Sequence, residues 1–218
     1  MDHSKFNPSY IGRRADVLAL LPGNAGKILD IGCSTGALGE QIKQRGPAEL
    51  VGIEVDEQMA KVAAGKLDRV ITGDIEKMDL KELLPANYFD CVIFADTLEH
   101  LKDPWNVLKK ITPFLNDNGI VIASIPNVRH YSTIFSLLFS GRWPYRDRGI
   151  HDRAHLRFFT LKNIKEIFQG AGLEIVGLRR NYRIIEHEQH GFSRYFALPL
   201  LKDFITFQYL VAAKKLRP

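Results

Sequence analysis

Cysteine is scarce in this sequence, with only Cys33 and Cys91 among 218 residues. Two thiols cannot supply the disulfide framework that stabilises many small secreted proteins. Both cysteines lie in short apolar segments that we expect to be buried strand or loop positions. Because such usage is typical of a reducing compartment, we expect a cytoplasmic protein.

Long hydrophobic runs are missing as well. A membrane-spanning helix needs about 20 consecutive apolar residues, and the apolar run 132–139 is too short. A second apolar stretch, 195–213, is interrupted by a proline, two charged residues and a glutamine. Residues 1–8 are polar and lack the apolar centre of a signal peptide. We therefore expect no transmembrane segment and no signal peptide.

Charge of one sign is not in strong excess, since 30 Lys and Arg against 25 Asp and Glu give a net charge of +5. A dedicated nucleic-acid binder usually has a denser basic stripe, so we do not expect a nucleic-acid partner. The mild positive charge permits an acidic acceptor, such as a phosphorylated sugar, without requiring one. The composition, 45% apolar and 25% charged, is typical of a globular protein. The length fits one domain spanning 1–218.

Short apolar runs alternate with segments of helical periodicity along the chain. We predict strands at 27–31, 50–55, 70–72, 89–95, 120–125, 173–178 and 204–213. We predict helices at 9–21, 37–44, 57–67, 104–114 and 161–170, and a turn at 116–119. This alternation favours an α/β fold with a doubly wound, mainly parallel seven-stranded sheet, helices on both faces and an antiparallel last strand. Such sheets bind ligands at the carboxyl ends of their strands.

The loop after the first strand, Asp30-Ile31-Gly32-Cys33-Ser34-Thr35-Gly36, has the chemistry to hold an amino-acid ligand. Gly32 and Gly36 lack a Cβ atom, so the backbone can approach a ligand closely. The start of the next helix offers free N–H groups to a carboxylate, and Asp30 can face an ammonium group. The methionine end of S-adenosylmethionine (SAM) carries both groups. The alternative is a bare strand-to-helix turn, because glycine-rich turns are common.

Acidic residues follow the next two strands. Glu54 lies about 20 residues beyond the glycine loop, the spacing of an acid that accepts hydrogen bonds from ribose hydroxyls. Asp74 can accept from the adenine amine, while Ile75 packs on the ring. The alternatives are an exposed loop acid at Glu54 and a helix cap at Asp74, and Asp56 is expected to cap the helix that follows it.

Two other cofactor and substrate classes fit the residues less well. A dinucleotide-binding G-x-G-x-x-G is absent, because Ser34 occupies the second glycine position. Asp30 would also repel a pyrophosphate. The Asn/Asp-Pro-Pro-aromatic run of DNA amine methylases is missing, and Ile125-Pro126-Asn127 does not match it.

Taken in order, these segments resemble the class I SAM-dependent methyltransferases. The resemblance rests on 28–36, 52–54, 73–74 and Asp96-Thr97-Leu98-Glu99-His100-Leu101, and it spans about residues 10–125. Further on, Ile125-Pro126-Asn127-Val128 and His155-Leu156-Arg157-Phe158-Phe159-Thr160 resemble a bacterial subgroup associated with methylation of cell-surface glycans and lipids. The resemblance implies an enzyme that uses SAM and releases S-adenosylhomocysteine.

The resemblance also implies where the cofactor binds. It assigns the amino-acid end of SAM to Asp30, Gly32, Cys33 and Gly36, the ribose to Glu54, the adenine to Val55, Asp74 and Ile75, and a backbone contact to Ala95. Many members of the family have glycine where this chain has Ser34. We expect Ser34 to be accommodated, although a positive φ would be unfavourable there. Cys33 is expected to be a small loop residue, because methyl transfer from SAM needs no enzyme nucleophile.

No catalytic residue follows directly from the sequence. A hydroxyl acceptor benefits from a general base, and we consider His100 and His155 as candidates, although His100 could instead orient the local backbone. Asp96, Glu99 and His100 also resemble the E-x-x-E-H metal cluster of small-RNA 2′-O-methyltransferases, with His151 or His155 as the distal ligand. Because aspartate replaces the first glutamate and E-H-L occurs in this fold without metal, we expect no metal ion.

The segment 127–157 is an insertion between the fifth strand and the next helix. It is rich in aromatic residues and arginines, and we expect a substrate lid in which aromatic rings stack on the acceptor and arginines hold phosphate. The alternative is a solvated basic loop. The residues expected to contact the acceptor are Asn127, Tyr131, Trp143, His155 and Arg157.

These observations favour transfer of the SAM methyl group to a hydroxyl of a small molecule or glycan precursor. Two alternatives remain open, an RNA methyltransferase and a SAM-binding protein without catalytic activity. The sequence does not define the acceptor atom or the oligomeric state.

Overall fold

A seven-stranded sheet forms the centre of the computed structural model, which describes residues 14–182 and 201–216. The strands are β1 (Lys27–Ile31), β2 (Glu49–Glu54), β3 (Arg69–Thr72), β4 (Phe89–Ala95), β5 (Leu115–Pro126), β6 (Leu173–Tyr182) and β7 (Thr206–Lys215). Their order is β3-β2-β1-β4-β5-β7-β6. Only the pairs that involve β7 are antiparallel. The predicted sheet, including its antiparallel last strand, is confirmed.

Helices cover both faces of this sheet. They are α1 (Ala15–Leu18), α2 (Ala37–Lys43), α3 (Glu57–Ala63), α4 (Leu80–Leu83), α5 (Pro104–Ile111), α6 (Tyr131–Ser140), α7 (Leu161–Gly170) and α8 (Lys202–Ile205). Asp56 caps α3 as predicted, because its side chain accepts from the backbone N–H groups of Gln58 and Met59. Thr160 and Asn163 form a capping box at the start of α7.

The two faces of the sheet carry separate apolar clusters. Successive residues of a strand point to opposite faces, so Ile28 packs with α2 and α3 while Leu29 packs with α5 and α7. All four side chains of β1 after Lys27 are buried. Strands covered on both faces are expected to be apolar throughout, which explains the short uninterrupted apolar runs in the sequence. The strand order reverses at β1, which pairs with both β2 and β4.

Several details differ from the sequence prediction. Helices α4 and α8 were not predicted, and α8 includes positions 204–205, which were predicted to be strand. Helix α6 lies in the segment 127–157, which was expected to be a lid and for which no helix was predicted. Residues 116–119 lie within β5, where the pairing with β4 shifts between Phe89 and Cys91. These residues form a bulge in the strand, in which Asn116 Oδ1 accepts a hydrogen bond from Asn118 N at 3.0 Å, as it would in a turn. Of the predicted helix 9–21, positions 9–13 lie outside the described residues, and only Ala15–Leu18 of the remainder is helical.

The described residues contain no helix that is both long and apolar enough to cross a bilayer. Residues 195–200 of the second apolar stretch lie outside the described ranges, and the rest of that stretch forms α8 and most of β7. Helix α6, which contains the shorter apolar run, has ten residues, half of the length that a membrane span needs.

Candidate active site

The loop after β1 is folded tightly against the ends of β2 and β4. Gly32 adopts φ +74°, and a Cβ atom there would lie 2.9 Å from Thr97 Oγ1, which is closer than real Cβ contacts allow. Thr97 Oγ1 also donates to the carbonyl of Ile31 at 2.8 Å. The Gly32 and Cys33 amides both donate to the carbonyl of Ile53. Glycine is therefore required at position 32, and the loop joins three strand ends.

Ser34 adopts a positive φ, the conformation that is favourable for the glycine found at this position in many members of the family. Its φ is +51°, in the left-handed region that costs a residue with a Cβ atom about 1–2 kcal/mol. The Ser34 amide donates to Glu54 Oε2 at 2.8 Å, and its hydroxyl contacts Met59 Sδ at 3.5 Å. These contacts show how the loop accommodates serine.

Asp30 is an unsatisfied buried carboxylate at the end of β1. Asp30 is only 2% exposed. Its Oδ1 has no hydrogen-bond partner among the described residues. Burial, assisted by the charge of Glu54, raises the pKa of Asp30 to about 7. Buried polar atoms are nearly always paired. An ammonium group placed beside Asp30 would supply the missing partner, so the site fits the amino-acid end of SAM.

Glu54 connects the loops after β1 and β2. It accepts from Ser34 N at 2.8 Å through one oxygen and from Asp56 N at 3.0 Å through the other. Each carboxylate oxygen keeps a second lone pair, so acceptance from two ribose hydroxyls remains possible. The next residue, Val55, is 67% exposed. An exposed valine beside a carboxylate suits a nucleoside, whose sugar is polar and whose base has an apolar face.

The predicted adenine residues after β3 have different environments. Asp74 accepts from Glu76 N at 3.0 Å and from Lys77 Nζ at 3.1 Å. The hydrogen bond with Lys77 holds the pKa of Asp74 below its usual range. Ile75 is buried in the cluster that packs against α5. Asp74 is thus held as an acceptor in a turn at the sheet edge. It is not a helix cap, because the next helix, α4, begins at Leu80.

Asp96 lies at the centre of a polar network that the sequence did not reveal. It follows Ala95, the half-buried last residue of β4, and has a φ of +56°. It accepts from Arg14 Nη1 at 2.6 Å, from Ser124 Oγ at 2.8 Å and from Gln208 Nε2. Arg14 also bonds Asp16 at 3.0 Å. No local signal could have found Arg14, because it lies 82 positions from Asp96.

Glu99, His100 and His155 come together at the end of the loop after β4. His155 Nε2 lies 3.9 Å from Glu99 Oε1, and the two imidazole rings pack edge to face with centroids 4.8 Å apart. Burial lowers the pKa of His155 and raises the pKa of Glu99. The candidate bases His100 and His155, far apart in sequence, therefore share one site.

His151 has a different environment. It is fully buried, and its Nε2 lies 2.8 Å from Thr133 Oγ1 on α6. Burial lowers the pKa of His151 to about 4. Trp143 packs on the same ring at 5.2 Å and on Phe158 at 4.7 Å. The Trp143 indole Nε1 is buried and lacks a hydrogen-bond partner within the described part of the chain.

Hydrogen bonds hold both ends of the insertion 127–157, the first end against α8 and β7 and the second against the loop after β4. Asn127 is fully buried, and its amide donates to the carbonyls of Asp203 and Thr206 at 2.7 and 2.8 Å. At the other end, the Leu156 and Arg157 amides donate to the carbonyl of Glu99. The Arg157 guanidinium bonds the Lys102 carbonyl. The Tyr131 ring packs on His130 at 4.5 Å.

The amino-acid sequence matches the model of a known protein family. Its family model, described as "Methyltransferase domain", covers residues 4–178 of the chain. The chain belongs to this methyltransferase family. Membership, together with the fold, supports the prediction of a SAM-dependent enzyme of class I, with SAM as its cofactor.

Curated relatives of this methyltransferase come from bacteria. A ubiquinone biosynthesis O-methyltransferase of Acinetobacter baumannii is 28% identical over 199 residues, which cover 82% of this chain and 79% of the relative. A protein of the same name from Psychrobacter arcticus is 29% identical over 170 residues, covering 73% of this chain and 65% of the relative. The relatives are therefore O-methyltransferases by name, and not the glycan subgroup that the sequence resembled.

Solved structures share the fold of this methyltransferase. A SAM-dependent methyltransferase from Archaeoglobus fulgidus superposes with a TM-score of 0.66 at 21% identity, covering 98% of this chain and 100% of the other. A possible histamine N-methyltransferase from Thermotoga maritima gives a TM-score of 0.65 at 18% identity, covering 95% and 89%. At these identities the similarity concerns the fold alone.

Proposed function

We propose that this methyltransferase binds SAM across the carboxyl ends of β1 to β4 and methylates a hydroxyl group of a small molecule. The observation that carries the cofactor site is the buried carboxylate of Asp30 beside the glycine loop, whose Oδ1 has no hydrogen-bond partner among the described residues. Asp30 accepts from the SAM ammonium, and the backbone from Gly32 to Gly36 surrounds the carboxylate. Glu54 accepts from the ribose hydroxyls, and Val55 and Asp74 contact the adenine.

The remaining predicted contacts follow from the same placement. Ala95 ends β4 next to β1, so its backbone faces the centre of the cofactor. Cys33 fills the space beside Gly52, where a Cβ atom would lie 2.5 Å from the Cys33 sulfur. Burial raises the pKa of the Cys33 thiol, which suits a packing role and not a nucleophile. Ile75 supports Asp74 from the apolar core.

The insertion 127–157 forms the acceptor side of the site in this proposal. Helix α6 exposes a row of apolar side chains, including Leu138 and Phe139, each 71% exposed. These side chains favour an acceptor with an apolar ring or chain. Tyr131, Trp143 and Arg157 lie on the same insertion and line the acceptor, whereas Asn127 holds the base of the lid. We also propose that the chain forms one methyltransferase domain, with 127–157 as its lid.

Two observations support a hydroxyl as the acceptor group. The curated relatives are named O-methyltransferases, and the Glu99, His100 and His155 cluster lies where the lid meets the loop after β4. The SAM methyl group is already activated, so alignment of the acceptor supplies several kcal/mol of the rate enhancement. The cluster assists removal of the hydroxyl proton as the oxygen attacks.

A phosphorylated glycan precursor is the second candidate acceptor. Exposed arginines of the insertion, Arg142, Arg148 and Arg153, favour an anionic group. This candidate keeps the same cofactor site and differs only in what the lid contacts.

Calorimetry and an acceptor screen test the proposal in two steps. Titration with SAM and with S-adenosylhomocysteine should give binding by both, and absence of both would contradict the cofactor site. Methyl-labelled SAM is then incubated with phenols carrying apolar chains, phosphorylated sugars, and RNA. Transfer to the phenols supports the proposal, and transfer to the sugars supports the second candidate. Transfer to RNA alone, or to none of these acceptors, would contradict both.

A further inference from the structure

The adenine segment, residues 73–78 after β3, is bound from behind by one lysine of α5. This residue, Lys110, is half-buried. Its Nζ donates to the carbonyls of Ile75, Glu76 and Met78 at 3.2, 3.4 and 3.0 Å. An ammonium group has three donors, so all of them are used on the backbone of this segment. The part of the chain proposed to contact the adenine of SAM is therefore fixed against α5.

Glu76 connects the adenine segment to the loop after β4. Its side chain is half-buried, and its two carboxylate oxygens accept from the amides of Lys102 at 3.1 Å and Asp103 at 2.7 Å. Asp103 is the N-cap of α5, where the helix dipole favours a negative charge. The Glu76 amide in turn donates to Asp74 Oδ1 at 3.0 Å. One residue thus bonds both the proposed adenine acceptor and the loop after β4.

Arg157 reaches the same peptide group from the insertion 127–157. Its guanidinium donates to the Lys102 carbonyl through Nε at 2.9 Å and also through Nη2. The Lys102 carbonyl and the Asp103 amide are the two ends of one planar peptide group. This peptide group therefore has a carboxylate at its N–H and a guanidinium at its C=O. Hydrogen bonds in such a chain polarise one another, so the bond at one end strengthens the bond at the other.

The end of the insertion depends on this peptide group for its position. Arg157 is exposed, and ordering an exposed arginine costs side-chain entropy. The bonds to the Lys102 carbonyl and the Trp105 ring, whose centroid lies 5.7 Å from the guanidinium carbon, offset that cost. The backbone amide of Arg157 also donates to the Glu99 carbonyl at 3.0 Å. A displaced peptide group would therefore release the guanidinium and loosen the insertion.

We propose that Glu76 and Arg157 are positioning residues that couple SAM binding to the arrangement of the insertion, through the peptide group between Lys102 and Asp103. SAM restricts the adenine segment, Glu76 holds the peptide group in place, and Arg157 holds the end of the insertion that faces the acceptor. Coupling between two binding sites is reciprocal, so a bound acceptor also raises the affinity for SAM. The inference rests on the proposed function, which places adenine and acceptor at the two ends of this connection.

A purely local role for each residue is the alternative. Glu76 would then only cap α5, and Arg157 would only fix the insertion. Each substitution would loosen its own region to the same extent with and without a bound cofactor. Coupling predicts instead that the effect of a cofactor on the insertion depends on both residues. The quantity to measure is therefore the change that the cofactor causes in the insertion.

Hydrogen exchange followed by mass spectrometry measures that change without any acceptor. The full chain is compared with and without saturating S-adenosylhomocysteine as wild type, Glu76→Gln and Arg157→Gln. We expect S-adenosylhomocysteine to slow exchange in peptides from 127–157 about fivefold in the wild type, at the lower end of usual coupling. The slowing should fall below about twofold in both variants. No slowing in the wild type, or equal slowing in all three proteins, would overturn the proposal.

Two control variants remove the same charges elsewhere. Glu166→Gln changes a residue of α7 whose side chain is 55% exposed. Arg179→Gln changes an exposed residue of the edge strand β6. Both should show the slowing of the wild type. A reduced slowing in these controls as large as in Glu76→Gln and Arg157→Gln would attribute the effect to net charge and contradict the proposal.

A double-variant cycle separates coupling from a general loss of order. Calorimetry with S-adenosylhomocysteine, at a temperature where all proteins are folded, should show affinity lowered about fivefold in Glu76→Gln and about threefold in Arg157→Gln. Because Arg157 acts through the peptide group that Glu76 holds, the double variant should lose about fivefold, whereas independent effects would multiply to about fifteenfold. An unchanged affinity in Arg157→Gln, or a fifteenfold loss in the double variant, would contradict the coupling.

The coupling and the proposed function fail in different ways. Absence of S-adenosylhomocysteine binding by the wild type would reject the cofactor site, and the coupling with it. Binding of S-adenosylhomocysteine and methyl transfer to a phenol, without slower exchange in 127–157, would reject the coupling and leave the proposed function standing.

Discussion

Arg14 Nη1 and Asp96 Oδ2 form an ion pair of 2.6 Å between the segment before α1 and the loop after β4. The pair fixes the beginning of the described chain against the sheet edge where the cofactor is proposed to bind. It also occupies Asp96, the acid closest in sequence to Glu99 on that loop, so Arg14 does not neutralise Glu99 by a direct bond. One long-range contact therefore joins the segment before α1 to the loop that continues into Glu99 and His100.

Removal of Arg14 should destabilise the protein more than removal of an exposed arginine. Arg14→Ala leaves Asp96 and Asp16 without their cation, and we expect a loss of about 2 kcal/mol in the free energy of unfolding, below the range for a fully buried pair. Arg153→Ala is the control, because its pair with Asp147 is exposed and should contribute less than about 1 kcal/mol. Urea unfolding measures both, and equal losses would contradict the importance of the Arg14 pair.

Ser34 should be replaceable by glycine with a gain in stability. Ser34→Gly relieves the strain of a positive φ, worth about 1–2 kcal/mol, and adds about 0.4–1 kcal/mol of chain entropy to the unfolded state. The expected net gain is about 0.5 kcal/mol, with SAM affinity retained. Ser34→Ala keeps the strain and serves as the control, with no gain expected. Urea unfolding and calorimetry give both quantities; a loss of stability in Ser34→Gly would show that the serine contacts outweigh the strain.

The raised pKa of Asp30 predicts that SAM binds more weakly in acid. In the free protein Asp30 has a pKa of about 7, so below pH 7 it must lose a proton before it can pair with the SAM ammonium. Affinity should fall by up to about tenfold for each pH unit from 7 to 5.5. Asp30→Asn should bind weakly with no such slope. Calorimetry with SAM from pH 5.5 to 7 measures this dependence. If the SAM affinity of both proteins changed equally with pH, Asp30 would not be the partner of the ammonium group.

The raised pKa of Asp30 also predicts how the stability of the SAM-free protein depends on pH. A raised native pKa means that the native state binds more protons than the unfolded state between about pH 4 and pH 7. The contribution of Asp30 to stability is therefore complete below about pH 4 and is lost as pH rises through 7. Asp30→Asn should lack this part of the pH dependence in urea unfolding measured without SAM.

The apolar face of α6 should affect the acceptor and not the cofactor. Leu138→Ser with Phe139→Ser changes two exposed side chains, so folding should be retained. We expect the KM for an apolar phenol acceptor to rise about tenfold, as expected for the loss of one to two buried methylene contacts, with SAM affinity unchanged. Val176→Ser, an exposed position on β6, is the control. An unchanged KM, or an equal loss of SAM binding, would contradict the lid.

The sequence predicted the sheet well because its signals are local. Uninterrupted apolar runs marked the strands from β1 to β4, and Asp56 and Thr160 marked helix starts through side chains that bond amides two or three residues away. The limits of β5 were less accurate. The asparagines and glycine at 116–119 are typical of a turn, and the pairing of β4 with β5 absorbed that turn as a bulge.

The cofactor side of the candidate site was also accessible from sequence. Asp30, Glu54 and Asp74 each come directly after or at the end of a strand, and parallel strands place their carboxyl ends at one edge. The accommodation of Ser34 was expected from the glycine that usually stands there, and the structure shows its φ to be +51°. These inferences need only the strand order and the spacing of residues along the chain.

Tertiary structure alone decided the rest, because the contacts join segments that are distant in sequence. Nothing near Arg14 marks it as the partner of Asp96. Nothing near Glu99 distinguishes His155 from His151 as its neighbour, since that choice depends on how the insertion folds back from α6. The sequence by itself determined which chemical groups stand at the ends of the strands. Packing of the insertion and of the first helix determined which of those groups are paired and which lie beside one another.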